Sequence, residues 1–360
     1  MIIAGGGTGG HLFPAIAVAE AMKERSPDNE ILFVGTAKGI EGKVLPREGW
    51  PLSFVQAEGV KGRGAIAKVR GLMKTFYGTL QSLAIIRSFK PGIILGVGGY
   101  ASAPVLLAGR LAGIKTAIHE QNALPGLTNR LLGKMARKIF LSYAESEKFF
   151  PAGKIVVTGN PVRKVVLDAF KDEAGQEEKK HFTLFVMGGS QGARRINEAL
   201  CEAVTSNKLA NINGLKIIHQ TGQADFERVK EAYRTSQVEV EIEPFINDMG
   251  RVYNEADLVV CRAGATTITE LLAAGKASIL VPYPHAADDH QKVNAEAIVR
   301  EGAAVMVLDR ELSAERITKE VSTFCKDRKK LRNMGKSAKV LAKGNAAQII
   351  CNELEELVAA

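Results

Sequence analysis

The sequence predicts an α/β protein built from two Rossmann-like, doubly wound domains facing across a cleft, and three observations carry that expectation. Both halves open on a buried strand, a glycine turn and a helix: residues 1–4 run into Gly5-Gly6-Gly7-Thr8-Gly9-Gly10, and residues 181–187 into Gly188-Gly189-Ser190-Gln191-Gly192. Residues 257–294 repeat the pattern with a second buried strand behind it. The chain of 360 residues is also longer than the ~250 to 300 at which one hydrophobic core stops growing.

In chain order, Pro14, Ile16, Ala17, Val18 and Met22 begin the helix after the first glycine turn. Gly5, Gly7 and Gly10 have the GxGxxG spacing of a dinucleotide fingerprint, which also needs an acid closing the second strand, about 20 residues on. That strand, 31–34, ends in Gly35-Thr36-Ala37, so an NAD(P)-dependent oxidoreductase is disfavoured. Residues 52–55 form the next strand and 65–88 a helix. A strand at 93–95 then ends in a second glycine turn, Gly96-Val97-Gly98-Gly99-Tyr100-Ala101-Ser102. The strand 115–118 finishes in His119-Glu120-Gln121-Asn122, and Pro125-Gly126-Leu127-Thr128-Asn129 opens another helix. In a doubly wound sheet these strand ends share one edge and line one crevice, although each alone also reads as a good turn and cap.

A strand at 155–158 closes the first domain, and Gly159-Asn160-Pro161-Val162-Arg163 turns away from it. The expected domains are therefore 1–160 and 161–343, with a last helix, 344–360, packing back on the first. In the second half, strands at 216–219 and 238–242 end in Gln220-Thr221-Gly222 and Phe245-Ile246-Asn247-Asp248, where Phe245 reads most simply as core. Leu258-Val259-Val260 stops at Cys261-Arg262-Ala263-Gly264, and the helix opening at Ala265-Thr266-Thr267 turns its N–H groups and positive dipole end to the sheet edge. Glu270, four residues after Thr266 on the same face, would repel a phosphate but accept hydrogen bonds from ribose hydroxyls. Together they suit a nucleoside diphosphate; Thr and Glu as plain helix caps is the simpler reading. His285 to Gln291, with Asn294, supply short polar groups suited to sugar hydroxyls.

Composition narrows the partners. Residues 1–160 carry 20 Lys and Arg against 10 Asp and Glu, whereas 161–360 carry 28 against 29, so the first half holds the whole positive excess. No acid stands between Glu58 and Glu120, while Lys61, Arg63, Lys68, Arg70, Lys74, Arg87, Lys90, Arg110 and Lys115 are basic, which anticipates an anionic partner. Ile66, Val69, Met73, Phe76 and Leu80 follow helical spacing among those cations; the stripe reads either as a core face or as a surface for an anionic membrane. The four cysteines form no CxxC and no ligand-spaced cluster with histidine, so neither a metal nor a disulfide framework is expected. The start MIIAGGG reads as no signal peptide, and the uncharged stretch 92–109 is broken by glycines and Pro104 rather than spanning a bilayer.

Beyond the fold, GGGTGGHLFPAIAVAE, GVGGYASAP, HEQNALPGLTNR, GNPVR, GGSQGARRIN, HQTG, PFINDM and CRAGATTITE followed by HxxxxxQ closely resemble the MurG family of bacterial peptidoglycan glycosyltransferases, of GT-B architecture, in order and from the first residues to at least Asn294. The resemblance implies transfer of N-acetylglucosamine from UDP-GlcNAc to the C4 hydroxyl of the muramoyl sugar of undecaprenyl-linked lipid I, giving lipid II with inversion at the anomeric carbon. Carried over by motif, Thr8, Gly9, Gly10, Asn122, Arg163, Ser190, Ile246, Ala265, Thr266, Thr267, Ile268, Thr269, Glu270 and Gln291 would bind the donor. Gly98, Gly99, Tyr100, His119 and Asn129 would bind the acceptor, and His11 and Glu120 would serve catalysis. It further implies no cofactor, no metal and no nucleic acid, a peripheral place on the cytoplasmic face of the plasma membrane, and contacts with other cell-wall synthesis proteins. Lys276-Ala277 departs from the family's usual Leu-Pro before the following strand. An inverting transfer needs one base and a seat for the departing UDP; no DxD occurs, and a helix N-terminus supplies the seat without metal. His11, an imidazole, suits the base, or it bonds the diphosphate or orients the acceptor. The readings left beside it are a nucleotide-sugar epimerase of similar fold and a non-catalytic nucleotide-sugar or lipid-binding protein.

Overall fold

The computed structural model describes residues 1–59, 65–170, 181–189, 191–286 and 289–360 and, for 65–69, the backbone alone. It divides into one unit of Met1–Arg163 with Asn345–Ala360, and a second of Lys164–Gly344.

The first unit runs β1 (Ile2–Ala4), α1 (Gly9–Arg25), β2 (Leu32–Gly35), α2 (Glu41–Arg47), β3 (Leu52–Phe54), α3 (Ala65–Phe89), β4 (Ile93–Gly96), α4 (Ser102–Leu111), β5 (Lys115–Glu120), α5 (Leu127–Met135), β6 (Lys138–Leu141) and β7 (Ile155–Val157). Among the described residues seven strands pair in the order β3-β2-β1-β4-β5-β6-β7, all parallel. Side chains alternate across a strand, so Ile3, Phe33, Leu95 and Ala117 pack beneath α1, while Ile2, Ala4, Val34, Ile94 and Ile118 pack beneath α3, α4 and α5. Register decides where the polar strand ends fall. Ala4 pairs with Val34 and Gly96, and Gly96 with Ile118, so the turns after β1, β4 and β5 emerge side by side.

The second unit runs α6 (Lys164–Asp168), β8 (Phe182–Met187), α7 (Arg194–Thr205), β9 (Leu215–Gln220), α8 (Phe226–Ala232), β10 (Glu239–Glu243), α9 (Met249–Glu255), β11 (Leu258–Cys261), α10 (Ala265–Ala273), β12 (Ala277–Leu280), α11 (His290–Arg300), β13 (Val305–Met306), α12 (Ala314–Lys326) and α13 (Arg328–Leu341). Six parallel strands, again among the described residues, take the order β10-β9-β8-β11-β12-β13. Met187 pairs with Gln220 and Cys261, Gln220 with Glu243, and Cys261 with Leu280, which brings the turns after five strands to one edge.

The last helix, α14 (Ala346–Ala359), belongs to the first unit. Ala347, Ile350, Cys351 and Leu354 join the core under α1, and Lys138 and Arg25 pair with Glu353 and Glu355.

Candidate functional site

In the first unit the glycine turns after β1 and β4 lie backbone on backbone. Gly5, Gly6 and Gly7 have φ of 145°, 133° and 89°, and a Cβ on Gly5 or Gly99 would come within 2.3 or 2.4 Å of the opposite turn's carbonyl oxygen. Gly6 N donates to Gly98 O at 3.3 Å. Gly98 also leaves room for the His11 ring, which a Cβ there would meet at 2.9 Å. His11 Nδ1 donates to the carbonyl of Val97 at 3.0 Å and to Gln121 Oε1 at 3.1 Å. Its other nitrogen, Nε2, therefore holds the lone pair of the neutral ring.

His119 and Glu120 are both buried rather than presented. His119 sits behind Gln121, whose Nε2 lies 3.2 Å from His119 Nδ1, and burial pushes its imidazole down to about 4. Glu120 accepts four N–H bonds, from Asn122 N and Nδ2 on Oε1 and from Gly126 N and Asn129 Nδ2 on Oε2, at 2.9 to 3.1 Å. Four donors on one carboxylate hold the turn between β5 and α5 in shape. Asn129 also donates to His119 O, and its Oδ1 is buried without a partner among the described residues. Tyr100 stands exposed, its ring over Gly59. Thr8 caps α1 by position only, leaving Gly9 and Gly10 in an N-terminal turn with no side-chain cap. The Arg163 guanidinium stacks 4.3 Å over Phe13 and lies 3.9 Å from Glu48, whose carboxyl burial raises.

Sequence reasoning missed Glu41. The strand β2 closes without an acid, yet α2 brings the Glu41 carboxylate back to the first glycine turn, where it accepts Gly7 N and Thr36 N, each at 2.8 Å. The signal in the sequence was the glycines: Cβ atoms at Gly6, Gly35 and Gly39 would all strike that carboxylate.

In the second unit, α10 follows Gly264, an N-cap residue with no side chain to cap it. Thr266, Thr267 and Thr269 are half-buried at its start, and Ile268 faces the core. Thr269 Oγ1 bonds back to Ala265 O, so that hydroxyl is spent within the helix. Glu270 is buried and accepts from Tyr253 OH at 3.1 Å. Gln220 bridges the neighbouring turns, donating to Gly189 O and accepting Ile246 N. Phe245 is exposed, not core, because β10 is the edge strand and its end is uncovered. Gln291 Oε1 accepts Tyr283 N at 3.0 Å, tying α11 to the turn after β12. Ser190, Ala287 and Asp288 lie outside the described residues.

Over residues 71–82 the amphipathic helix α3 is inside out, whereas further on Ile86, with Leu83, Ile85 and Phe89, joins the core. There its inward face, over 71–82, is small or hydroxylic, with Gly71, Gly78, Thr79 and Ser82 buried, while Leu72, Met73, Phe76, Tyr77 and Leu80 point to solvent, Leu72 and Phe76 at 65% and 62% exposure. Gly78 packs on Gln56 O and Pro104, and Thr79 and Ser82 return their hydroxyls to the helix backbone. Leu107 and Leu111 on α4 and Leu127 and Leu131 on α5, which cover the same sheet face, are exposed as well. Arg70 and Lys74 both pair with Glu58. Lys61 and Arg63, and the side chains of Ile66, Lys68 and Val69, lie outside the described residues. Among the described residues no helix is long and apolar enough to cross a membrane.

Residues 1–141 match the glycosyltransferase family 28 N-terminal domain and residues 183–350 the family 28 C-terminal domain. The UDP-N-acetylglucosamine–N-acetylmuramyl-(pentapeptide) pyrophosphoryl-undecaprenol N-acetylglucosamine transferase of Trichlorobacter lovleyi is 44% identical over 371 residues, 99% of this chain and 97% of that protein. The transferase of the same name from Geotalea uraniireducens is 49% identical over 359 residues, covering 98% and 97%. Among solved structures, Acinetobacter baumannii MurG superposes with a TM-score of 0.77 at 31% identity, covering 99% of this chain and 98% of that one.

Proposed function

The chain belongs to the family 28 glycosyltransferases that act as UDP-N-acetylglucosamine–N-acetylmuramyl-(pentapeptide) pyrophosphoryl-undecaprenol N-acetylglucosamine transferases, and we propose that it carries out that reaction with its donor on the second unit and its acceptor and base on the first. The donor is UDP-GlcNAc. The N-terminus of α10, from Ala265 to Thr267, faces the diphosphate, and Glu270 takes the ribose hydroxyls. Ile246, Ile268, Thr269 and Gln291 shape the rest of that seat, Ile268 from the core side; Ser190, Thr8, Gly9, Gly10, Asn122 and Arg163 are donor contacts on the strength of their motifs alone.

The acceptor is the muramoyl sugar of undecaprenyl-linked lipid I, held by Gly98, Gly99, Tyr100 and Asn129, with Asn129 Oδ1 the acceptor still owed a hydrogen bond. His11 Nε2 takes the proton of the C4 hydroxyl as that oxygen bonds to the anomeric carbon of GlcNAc. The bond from that carbon to the UDP oxygen breaks on the opposite face, so configuration inverts and the electron pair leaves with UDP. Glu120 and His119 act from behind, Glu120 by shaping the turn that carries Asn122 and His119 by supporting Gln121. The observation that carries the reading is the His11 ring itself, oriented through Nδ1 so that its basic nitrogen is the other one. The enzyme works as a peripheral protein on the cytoplasmic face of the plasma membrane, through the outward apolar face of α3 and the cations around it, beside other cell-wall synthesis proteins.

The test is UDP release with and without lipid I. The expected result is release only when lipid I is present, with GlcNAc recovered on the lipid. Steady UDP release from UDP-GlcNAc alone would instead make the protein a hydrolysing epimerase, and binding without release a carrier.

A further inference from the structure

We propose that Gln121 is a positioning residue for the transfer: with His119 behind it, it holds His11 with a proton on Nδ1 and the lone pair on Nε2. The inference rests on the reading of His11 as the base, but the bond pattern beneath it does not.

The pattern starts from an atom whose role is fixed. The carbonyl oxygen of Val97 can only accept, and two side-chain nitrogens approach it, His11 Nδ1 at 3.0 Å and Gln121 Nε2 at 2.8 Å. Both must donate. The Gln121 amide is thereby oriented, because turning it over would set its oxygen 2.8 Å from the Val97 oxygen. Its Oε1 then faces His11 Nδ1 at 3.1 Å and accepts the same proton. At the far end, Gln121 Nε2 also lies 3.2 Å from His119 Nδ1, which must accept. His119 consequently carries its own proton on Nε2, directed at Gly159 O, 3.4 Å away, and beside the Ser142 hydroxyl. Gln121 and His119 are each 1% exposed, so water does not compete for these bonds. Burial also keeps His119 neutral, and its Nδ1 lone pair persists at neutral pH.

A polarised chain, His11 to Gln121 to His119 to the Gly159 carbonyl, therefore has one direction only. Its consequence appears when His11 gains the acceptor's proton on Nε2. The Nδ1–H stays where it is, and the new imidazolium is met by two neutral oxygens already aimed at it, without reorganisation. A glutamine in this place supplies orientation without a charge that would hold the proton after UDP has gone.

The experiment uses the full chain with 15N-labelled histidine, reading the ring nitrogens by long-range proton–nitrogen correlation near pH 8. His11→Ala assigns the His11 signals. Wild-type enzyme should show His11 as the Nδ1–H tautomer. In Gln121→Met, which keeps the side-chain length and removes both hydrogen-bonding groups, Val97 O is the one acceptor of this pair left to Nδ1–H, so His11 should keep that tautomer as its main form but show a weaker, exchange-broadened Nδ1–H signal. The same variant should lose about ten-fold or more in kcat with the UDP-GlcNAc KM within two-fold, the loss expected for one hydrogen bond to a group that becomes charged. An Nε2–H tautomer in the wild type overturns the proposal even if the variant does not fold. So does a folded Gln121→Met with a wild-type Nδ1–H signal and wild-type kcat. Full activity in His11→Ala would strike at the base instead, and is told apart because the tautomer of wild-type His11 is read independently of turnover.

Discussion

Tyr253 donates its phenolic hydrogen to Glu270 Oε2 at 3.1 Å, from a ring that is itself fully buried between Phe170 and Phe185. Both neighbours meet it edge to face, at 6.0 and 5.8 Å between centroids, so the hydroxyl that aims the carboxylate is fixed by packing. Glu270→Ala should raise the UDP-GlcNAc KM ten- to a hundred-fold, since a carboxylate bonding ribose is worth ~1.5 to 3 kcal/mol, while kcat changes little. Tyr253→Phe should raise it only a few-fold. Equal UDP affinity in parent and Glu270→Ala, by calorimetry, would remove Glu270 from the donor seat.

Transfer should survive excess chelator. The α10 N-terminus offers the departing diphosphate N–H donors and a positive dipole end, and among the described residues no group of three His, Cys, Asp or Glu is placed to hold a metal ion. Rates measured with and without EDTA should agree within error. Activity abolished by EDTA and restored by magnesium or manganese would contradict the expectation.

Glu41 should matter to stability although no strand end displays it. It is 1% exposed, and its two oxygens take the N–H groups of Gly7 and Thr36, so removing it leaves two donors unpaired beside a cavity. Glu41→Ala should cost about 2 to 4 kcal/mol of stability and loosen the turn that carries His11 into α1. Glu41→Gln keeps the shape but not the charge and should cost less. Denaturation midpoints of both variants, with kcat beside them, check the order; an unchanged midpoint for Glu41→Ala would mean that the carboxylate does not hold the turn.

What could be read from the sequence was whatever short-range pattern dictates. The glycine runs after β1, β4 and β8 announce turns because only glycine takes the positive φ of Gly5, Gly98 or Gly189. The strand–turn–helix order around Gly264 likewise places the α10 N-terminus at a sheet edge without any knowledge of tertiary structure. Glu41 and Gln121 were not legible as functional, since what they do depends on Gly7 and His11, which stand 34 and 110 residues away in sequence. Tyr253 reads as one more aromatic on a short helix until its bond to Glu270 is seen. The α3 stripe was legible as amphipathic but not in its direction, because periodicity gives a face and not what lies against it. The deciding detail is the opposite face, where Gly71 and Gly78 let the helix approach the domain without large side chains.

Acid should destabilise the second unit through His219. Its ring is fully buried, accepting from Tyr233 OH on Nδ1 and donating from Nε2 to Asn197 Oδ1, and burial lowers its pKa from 6.5 to about 3. The folded pKa lies below the unfolded one, so between them the unfolded chain binds the extra proton. Stability is therefore complete above about pH 6.5 and falls as pH drops through that value, by about 2 kcal/mol between pH 7 and 5 at 1.36 kcal/mol per unit. His219→Gln should begin less stable at pH 7 but lose less on acidification. Thermal midpoints at the two pH values give the comparison, and an equal drop in both proteins would clear His219.

The membrane surface of the first unit should depend on apolar side chains more than a count of cations suggests. Arg70 and Lys74 are both drawn onto Glu58, at 3.0 and 2.6 Å, so part of the positive charge near α3 is already neutralised. Each cation near an anionic leaflet contributes about 1 kcal/mol, which leaves the remaining basic residues a weak hold alone. Leu72, Met73, Phe76, Tyr77 and Leu80 instead project from a helix whose inward face needs none of them, and inserting two or three contributes ~1.5 to 3 kcal/mol each when fully buried. Phe76→Glu should therefore weaken co-sedimentation with anionic vesicles about ten-fold or more without lowering the thermal midpoint, because Phe76 is 62% exposed and its ring meets the likewise exposed Tyr77. Changing Lys68, Arg70 and Lys74 together to glutamate should also release the protein, and salt should weaken the parent's binding. Vesicle binding that ignores anionic lipid content, or that survives both sets of changes, would move the docking surface away from α3.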